Sequence, residues 1–141
     1  MVLLAGDIGD LVQGGWMVSR VLGCWPSFHD ARVSAFSIVQ SFSDKANVTN
    51  VLLSLVHFEI STDRRRLVST CKITFCFENA TGNQVSLDRV EVPMWVNDLE
   101  FSKNQDERIE VELDGVSGLG FAITCDAAKI VSIEPFSDAT A

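Results

Sequence analysis

Hydrophobic and polar positions alternate with a period of two over much of this chain. Apolar residues separate polar ones along 67–78, and Ile109, Val111 and Leu113 are interleaved with three carboxylates. Successive side chains of a strand point to opposite faces, so this pattern is typical of a sheet with one buried face. We predict strands near 32–40, 51–60, 67–78, 85–92, 109–113, 118–125 and 128–134.

The N-terminal part has a helical spacing instead. Four residues at positions i, i+3, i+4 and i+7 share one helix face, namely Val18, Val21, Leu22 and Trp25. The Gly14-Gly15 pair interrupts the pattern, because each glycine inside a helix costs about 1 kcal/mol relative to alanine. We therefore predict two short helices, near 7–13 and 16–23, and Pro26 turns the chain after the second.

Together these elements predict an α+β fold in one domain spanning residues 1–141. Two short N-terminal helices would precede a mainly antiparallel sheet of about seven strands, either open or curled into a half-barrel. On folding, a chain of this size buries roughly two-thirds of the surface that its unfolded form exposes to water. That is enough for a core that needs neither metals nor disulfides.

Charge and cysteine content narrow the function classes. The chain has 19 acidic and 11 basic residues and a net charge of −8, which disfavours binding to nucleic acid. Its four cysteines include no C-x-x-C pair, so we expect buried or half-buried thiols, no metal site and no cofactor. The first twelve residues lack a basic leader, and no apolar run reaches the roughly 18 residues of a membrane span. We expect a cytoplasmic protein without membrane contact.

The most acidic segment runs from residue 98 to residue 114. It contains two basic residues and seven acidic ones: Asp98, Glu100, Asp106, Glu107, Glu110, Glu112 and Asp114. A field of this sign attracts a basic protein and accelerates its docking, although a solvated face that keeps the protein soluble explains the same residues equally well. Met94, Trp95 and Trp16 are the candidates for an anchor beside this segment, and burial in the core is the alternative role of the tryptophans.

The string Trp25-Pro26-Ser27-Phe28-His29-Asp30-Ala31 is the most unusual in the chain. One interpretation makes His29 and Asp30 an acid–base pair that, with His57, lines the pocket of a small enzyme or ligand-binding module. The interpretation we favour is structural. Trp25 and Phe28 would anchor the core, Ser27 and Asp30 would form a turn, and His29 would be a buried, hydrogen-bonded group, because neighbours on a strand point to opposite faces.

Two other strings resemble functional motifs only superficially. The glycine-rich stretch 115–120 leads into a predicted strand, whereas a phosphate-binding loop leads into a helix, so we predict a bulged hairpin turn. Arg64-Arg65-Arg66 lies between two predicted strands and is most simply a solvated hairpin tip. Neither motif indicates catalysis.

The chain resembles the immunity protein 50 family of bacterial polymorphic toxin systems from about residue 20 onward. The resemblance is carried by the string 25–31, by Ile109-Glu110-Val111-Glu112-Leu113 with Gly118-Leu119, and by Ile130-Val131-Ser132-Ile133-Glu134-Pro135. The string at 25–31 is fairly specific, and the C-terminal pattern alone is weak. Arg32 stands where the family pattern usually has an acidic residue, so the partner preference could differ.

The resemblance implies a cytosolic protein that is not an enzyme. It would bind a cognate toxin domain with a basic surface and neutralise it by covering or distorting its active site. It does not identify the toxin. A purely structural subunit of a larger assembly is a further alternative, which the sequence leaves open.

Overall fold

The computed structural model describes residues 10–42, 47–60, 67–88, 94–116 and 118–135. The described elements follow in the order β1 (Val12–Gln13), α1 (Gly15–Leu22), β2 (Arg32–Phe42), β3 (Asn47–Ile60), β4 (Leu67–Glu78), β5 (Thr81–Asp88), β6 (Val96–Lys103), β7 (Ile109–Gly115), β8 (Gly118–Cys125) and β9 (Ala127–Pro135). No helix in these ranges is long and apolar enough to cross a membrane.

The strands form two sheets. The first has the order β1-β9-β4-β3-β2 and the second has the order β5-β8-β7-β6. All neighbouring strands are antiparallel except β1 and β9, which are parallel. The chain leaves the first sheet at Glu78 and enters the second at Thr81, with Asn79 in the left-handed region at φ 52°. The chain returns to the first sheet after β8, through Asp126, and continues as β9.

This architecture corrects the predicted α+β class. In the described residues the fold is mainly β, with two sheets instead of one and one helix as long as eight residues, α1. The predicted helix near 16–23 is α1. Of the predicted helix near 7–13, residues 10 and 11 are helical, but its C-terminal end is wrong. Val12–Gln13 forms β1, because buried Val12 pairs with Ala128 of β9. Residues 7–9 of that prediction lie outside the described residues.

Most predicted strands are present, with shifted ends. The bounds of β4 and β8 agree with prediction, whereas β2, β3, β7 and β9 are longer than predicted. β5 begins at Thr81 instead of 85, and residues 89–92 of that prediction lie outside the described ranges. The sequence prediction missed β6 because a bulge between Val96 and Asp98 breaks the alternation. Val96 and Leu99 are both buried although they are three residues apart.

Aromatic rings from both sheets and from the loop after α1 form the centre of the core. Phe75 of β4 is fully buried and lies 5.7 to 6.5 Å, between ring centroids, from Trp25, Phe28 and Phe101, and 5.9 Å from Phe77. Phe101 belongs to the second sheet, so these contacts hold the two sheets face to face. Burying aromatic side chains supplies much of the stabilisation of such a core.

One corner of the molecule joins the sheets through the backbone. Arg32 of β2 forms an antiparallel bridge with Trp95, just before β6. The amide of Val33 donates to the carbonyl of Met94 over 2.9 Å, and the amide of Val96 donates to the carbonyl of Ala31 over 2.7 Å. This corner holds the loop that precedes β2 against the start of β6.

Candidate functional site: an acidic groove

The outer face of β6 and β7 carries a ladder of carboxylates. The inward positions of these strands are apolar and buried, so the intervening residues point away from the core. Antiparallel pairing places Asp98 opposite Asp114 and Glu100 opposite Glu112, and Glu110 follows opposite Ser102. The structure therefore brings five of the seven predicted acidic residues together on one face, which we call the acidic ladder: Asp98, Glu100, Glu110, Glu112 and Asp114.

A groove of about 480 Å³ lies beside the ladder. Its acidic wall is formed by β6 and β7, its floor includes Gly120 and Ala122 of β8, and Gln84 and Ser86 of β5 line its other side. A Cβ atom at Gly120 would lie 3.4 Å from Ser86 Oγ, which is closer than most carbon contacts. The small residues of β8 thus create the groove, and sequence reasoning had not assigned them to a site.

The ladder is electrostatically unfavourable in the isolated chain. Like charges directly opposite each other on a sheet repel. A hydrogen bond with Asp98, together with the charges of Asp98 and Glu112 and slight burial, raises the pKa of Glu100 above its usual range. Because of this raised pKa, the folded chain holds the proton of the Glu100 carboxyl group more tightly than the unfolded chain does. The interaction of Glu100 with its acidic neighbours therefore favours folding in acid and disfavours it at neutral pH. A bound cation would relieve the repulsion.

The other two predicted acidic residues, Asp106 and Glu107, lie elsewhere. They occupy the exposed turn between β6 and β7, with Glu107 in the left-handed region at φ 60°. The Asn104 side chain closes this turn by accepting hydrogen bonds from the amides of Asp106 and Arg108 over 2.9 and 3.0 Å. Neither acid lines the groove.

Trp95 is half-buried beside the corner that joins the sheets. Its ring packs against Phe58, with the centroids 5.6 Å apart, and the Arg32 guanidinium lies 5.5 Å from the Phe58 centroid. Arg32 therefore contacts this aromatic pair. Trp95 does not line the acidic groove, so its predicted role as an anchor beside the acidic residues stays a prediction.

The structural interpretation of the string 25–31 is confirmed for its aromatic residues. Trp25 and Phe28 are buried and meet edge to face with their centroids 5.6 Å apart. Ser27 Oγ accepts a hydrogen bond from the His29 amide over 3.2 Å, so the predicted turn is also present. Phe28 and Asp30 both lie in the left-handed region, at φ 61° and 67°. Aspartate adopts this conformation more readily than most residues, whereas a bulky residue such as Phe28 adopts it only when the surrounding structure holds it.

The prediction that His29 is buried is wrong. Its side chain is 58% exposed, and its Nδ1 lies 2.8 Å from the Asn97 carbonyl oxygen. That oxygen can only accept, so Nδ1 carries the proton. Nε2 lies 3.6 Å from Asp30 Oδ1, because the backbone turns at Asp30 instead of continuing as a strand. These two sequence neighbours therefore contact each other, because the chain is not an extended strand at this point.

These contacts link the string 25–31 to the acidic groove. The Asn97 side chain donates to Asp114 Oδ2 over 2.9 Å, while the Asn97 backbone accepts from His29. The Asp30 amide also donates to the carbonyl of Val96 over 2.9 Å. His29 and Asp30 therefore lie at the Asp114 end of the ladder, a proximity that sequence reasoning did not foresee.

His57 belongs to a different environment. It is half-buried on β3, and its ring meets the buried Phe28 ring edge to face, with the centroids 6.4 Å apart. The structure thus brings His29 and Asp30 together but places His57 against the core. None of the three lines the acidic groove.

Arg108 ties three turns together at the far end of the second sheet. Its guanidinium donates to Asp126 over 2.9 Å, to Thr81 Oγ1 over 2.5 Å and to the Asn79 carbonyl over 2.7 Å. The Asn79 side chain also donates to Asp126 over 2.6 Å. This basic residue of the acidic segment therefore neutralises Asp126 instead of the ladder.

We expect Arg108→Lys to lower the free energy of unfolding by about 1 to 2 kcal/mol, because lysine keeps the charge but cannot make the forked set of hydrogen bonds. Urea denaturation at neutral pH measures the change. Arg20→Lys, at an exposed position of α1, is the matched control and should stay within about 0.5 kcal/mol of wild type. Equal stability of the two variants would contradict the structural role of Arg108.

Asp126 adds a pH dependence to this cluster. Its hydrogen bond from Asn79, followed by that from Arg108, lowers its pKa below the usual range. The folded state therefore gains stability where Asp126 is ionised and loses it as the pH falls through the lowered value. We expect Asp126→Asn to be less stable than wild type at neutral pH, and the difference should shrink in acid. Denaturation curves at several pH values measure this trend.

The remaining sequence predictions have mixed outcomes. The antiparallel pairing of β7 with β8 confirms the predicted hairpin, and Ser117 of its turn lies outside the described residues. Arg64-Arg65-Arg66 lies outside the described residues.

The four cysteines are free thiols, but Cys24 is exposed, which corrects the expectation of burial. Burial raises the pKa of Cys125 to about 11, so this thiol stays protonated at neutral pH.

Within the described ranges, no group of three or more histidine, cysteine or acidic side chains has the geometry to hold a metal ion. Strand pairing spreads the acidic ladder along the outer face of β6 and β7. Comparison with known proteins found no matching family model, no matching curated protein and no matching solved structure.

Proposed function

We propose that this chain is a stoichiometric protein inhibitor that binds a basic surface of a cognate bacterial toxin domain through the acidic groove. The observation that carries this proposal is the ladder of five carboxylates on one face of β6 and β7. The residues that line the groove beside it include no lysine or arginine. A partner that supplies cations would remove the repulsion within the ladder.

The open shape of the groove favours a protein partner. An extended sheet face with an open groove contacts a second folded surface over many residues, whereas a small ligand favours a pocket that encloses it. The net charge of −8 repels nucleic acid. Electrostatic complementarity of this kind accelerates association and selects partners by charge.

Binding explains the geometry at His29 better than proton transfer does. A catalytic histidine presents one ring nitrogen to the substrate while the other is oriented by the protein. Here Nδ1 faces the Asn97 carbonyl and Nε2 faces Asp30, so both nitrogens are directed at oxygens of the chain itself. On this proposal, exposed His29 and Asp30 extend the binding surface beyond the Asp114 end of the ladder.

The toxin as partner comes from the resemblance to the immunity protein 50 family. The string 25–31, which carries most of that resemblance, leads directly to the corner where His29 and Asp30 meet the ladder. Immunity would follow from occupying the toxin surface, and the proposal involves no cofactor. The cytoplasm, where such a toxin acts, is the proposed location.

Co-expression provides the test of this function. The chain should restore growth to bacteria that express the toxic domain encoded beside it, and the two purified proteins should elute together in gel filtration. An unrelated acidic domain of similar size and net charge is the control for nonspecific charge binding, and it should neither protect nor co-elute. Absence of both rescue and a complex with the chain itself would reject the proposal.

A further inference from the structure

The acidic groove has two walls of different chemistry. One wall carries carboxylates of the acidic ladder, on β6 and β7, and the other is β5, which contributes the uncharged side chains of Gln84 and Ser86. β8 lies between the walls. Neighbouring strands of a sheet are about 4.8 Å apart, so the backbones of β7 and β5 are roughly 10 Å apart across the groove. A cation between the lining residues therefore meets opposite charge on one side only.

The floor of the groove is formed by the small residues of β8. Strand pairing places Ala122 opposite Gln84 on one side and opposite Glu112 on the other. Gly120 lies opposite Ser86 in the next outward-facing pair along the strand. At these two positions of β8 no side chain extends beyond a methyl group, so a flat group can lie on the floor between the walls.

Both walls offer oxygen atoms that accept hydrogen bonds. The carboxylate of Glu112 can only accept, and the side-chain amide of Gln84 includes an accepting carbonyl oxygen. Within the described ranges the Gln84 side chain has no hydrogen-bond partner, so this oxygen is available to a bound molecule. A ligand that satisfies both walls at once must carry donors directed to two opposite sides.

The positive charge of a partner explains only part of this arrangement. A lysine ammonium group is a compact, strongly hydrated charge that the ladder alone would satisfy. An arginine guanidinium group is planar, is less strongly hydrated and has five N–H donors in a fixed fork. It can lie flat on small residues, bind a carboxylate through two parallel hydrogen bonds and still donate to an acceptor on its other side. The floor and the uncharged wall therefore suit arginine better than lysine.

We propose that the groove binds arginine side chains of its protein partner in preference to lysine side chains. The guanidinium group lies on Gly120 and Ala122, with the carboxylate of Glu112 on one side and the Gln84 amide on the other. This inference rests on the proposed function, which supplies the toxin surface as the source of the arginine. It specifies what that surface presents, whereas the ladder alone specifies only the sign of its charge.

Two peptides of equal length and charge, hexa-arginine and hexa-lysine with blocked ends, test this inference on the full chain. Isothermal titration calorimetry at moderate salt should give a dissociation constant about tenfold lower for hexa-arginine, because the guanidinium group adds a charge-assisted hydrogen bond to the uncharged wall. In NMR spectra, hexa-arginine should shift the backbone amide signals of Gly120 and Ala122, which would locate the peptide in the groove.

Two substitutions separate selection by the groove from general attraction between charges. Ala122→Leu fills the floor, and Gln84→Leu removes the acceptor of the uncharged wall, while both leave every carboxylate of the ladder in place. Each should raise the dissociation constant of hexa-arginine about tenfold and leave that of hexa-lysine within about twofold of wild type. Ala35→Leu, at an exposed position of β2 on the first sheet, is the matched control and should behave like wild type.

Equal affinity for the two peptides would overturn the inference, and so would an arginine preference that persists unchanged in either folded variant. Circular dichroism establishes that each variant is folded, and Gln84→Leu decides the question if Ala122→Leu is not. The co-expression test has a separate outcome. Growth rescue by a chain without arginine preference rejects only this inference, whereas arginine preference without rescue rejects the toxin as the source of the arginine.

Discussion

Replacement of Trp25 by alanine is expected to lower the free energy of unfolding by about 3 to 5 kcal/mol. Trp25 is 7% exposed and contacts three buried rings edge to face, those of Phe28, Phe75 and Phe101. Because these rings come from the loop and from both sheets, the cavity left by alanine would weaken the contact between the sheets. Urea denaturation followed by fluorescence and circular dichroism measures the loss.

Trp16 provides the matched control for this prediction. It is 63% exposed on α1, so Trp16→Ala should change stability by about 0.5 kcal/mol or less. The comparison also separates two roles of the string 25–31. If Trp25→Ala kept wild-type stability but lost toxin binding, Trp25 would be a contact residue and the structural interpretation would be wrong.

Local periodicity predicted the strands in which the alternation is long. β8 has the predicted bounds because it alternates between apolar and small or polar residues along its whole length, and β4 alternates between apolar and polar or smaller residues from Cys71 to Glu78. β6 was missed because its bulge puts Val96 and Leu99 on the same side with two polar residues between them. The division into two sheets could not be predicted, because pairing between strands distant in sequence depends on register and tertiary packing, not on local pattern.

Local sequence patterns also predicted only part of the candidate site. Alternation along β7 alone predicted that Glu110, Glu112 and Asp114 share one face, and this is confirmed. Their alignment with Asp98 and Glu100 depends on the pairing of β6 with β7. The small residues Gly118, Gly120 and Ala122 form a visible period-two pattern, which could have indicated an unfilled face beside the acids. No local signal could reveal that His29 contacts Asn97, 68 residues away.

Reversal of charge on the ladder should produce the largest effect on binding. Glu110→Lys combined with Glu112→Lys is expected to slow association with the toxin domain by about 10- to 100-fold at low salt, because steering by a charged surface changes on-rates by such factors. The salt dependence of the association rate should become flatter. Stopped-flow or surface-based kinetics at several salt concentrations measures both effects.

Asp106→Lys combined with Glu107→Lys is the control that distinguishes the effect of the ladder on the association rate from the effect of net charge. Both double variants change the net charge by four units, from −8 to −4, but Asp106 and Glu107 lie in the exposed turn outside the groove. If general attraction between an acidic and a basic protein dominates, the two variants will slow association equally. If the groove is the docking surface, the turn variant will retain most of the wild-type rate, because Asp106 and Glu107 do not line the groove.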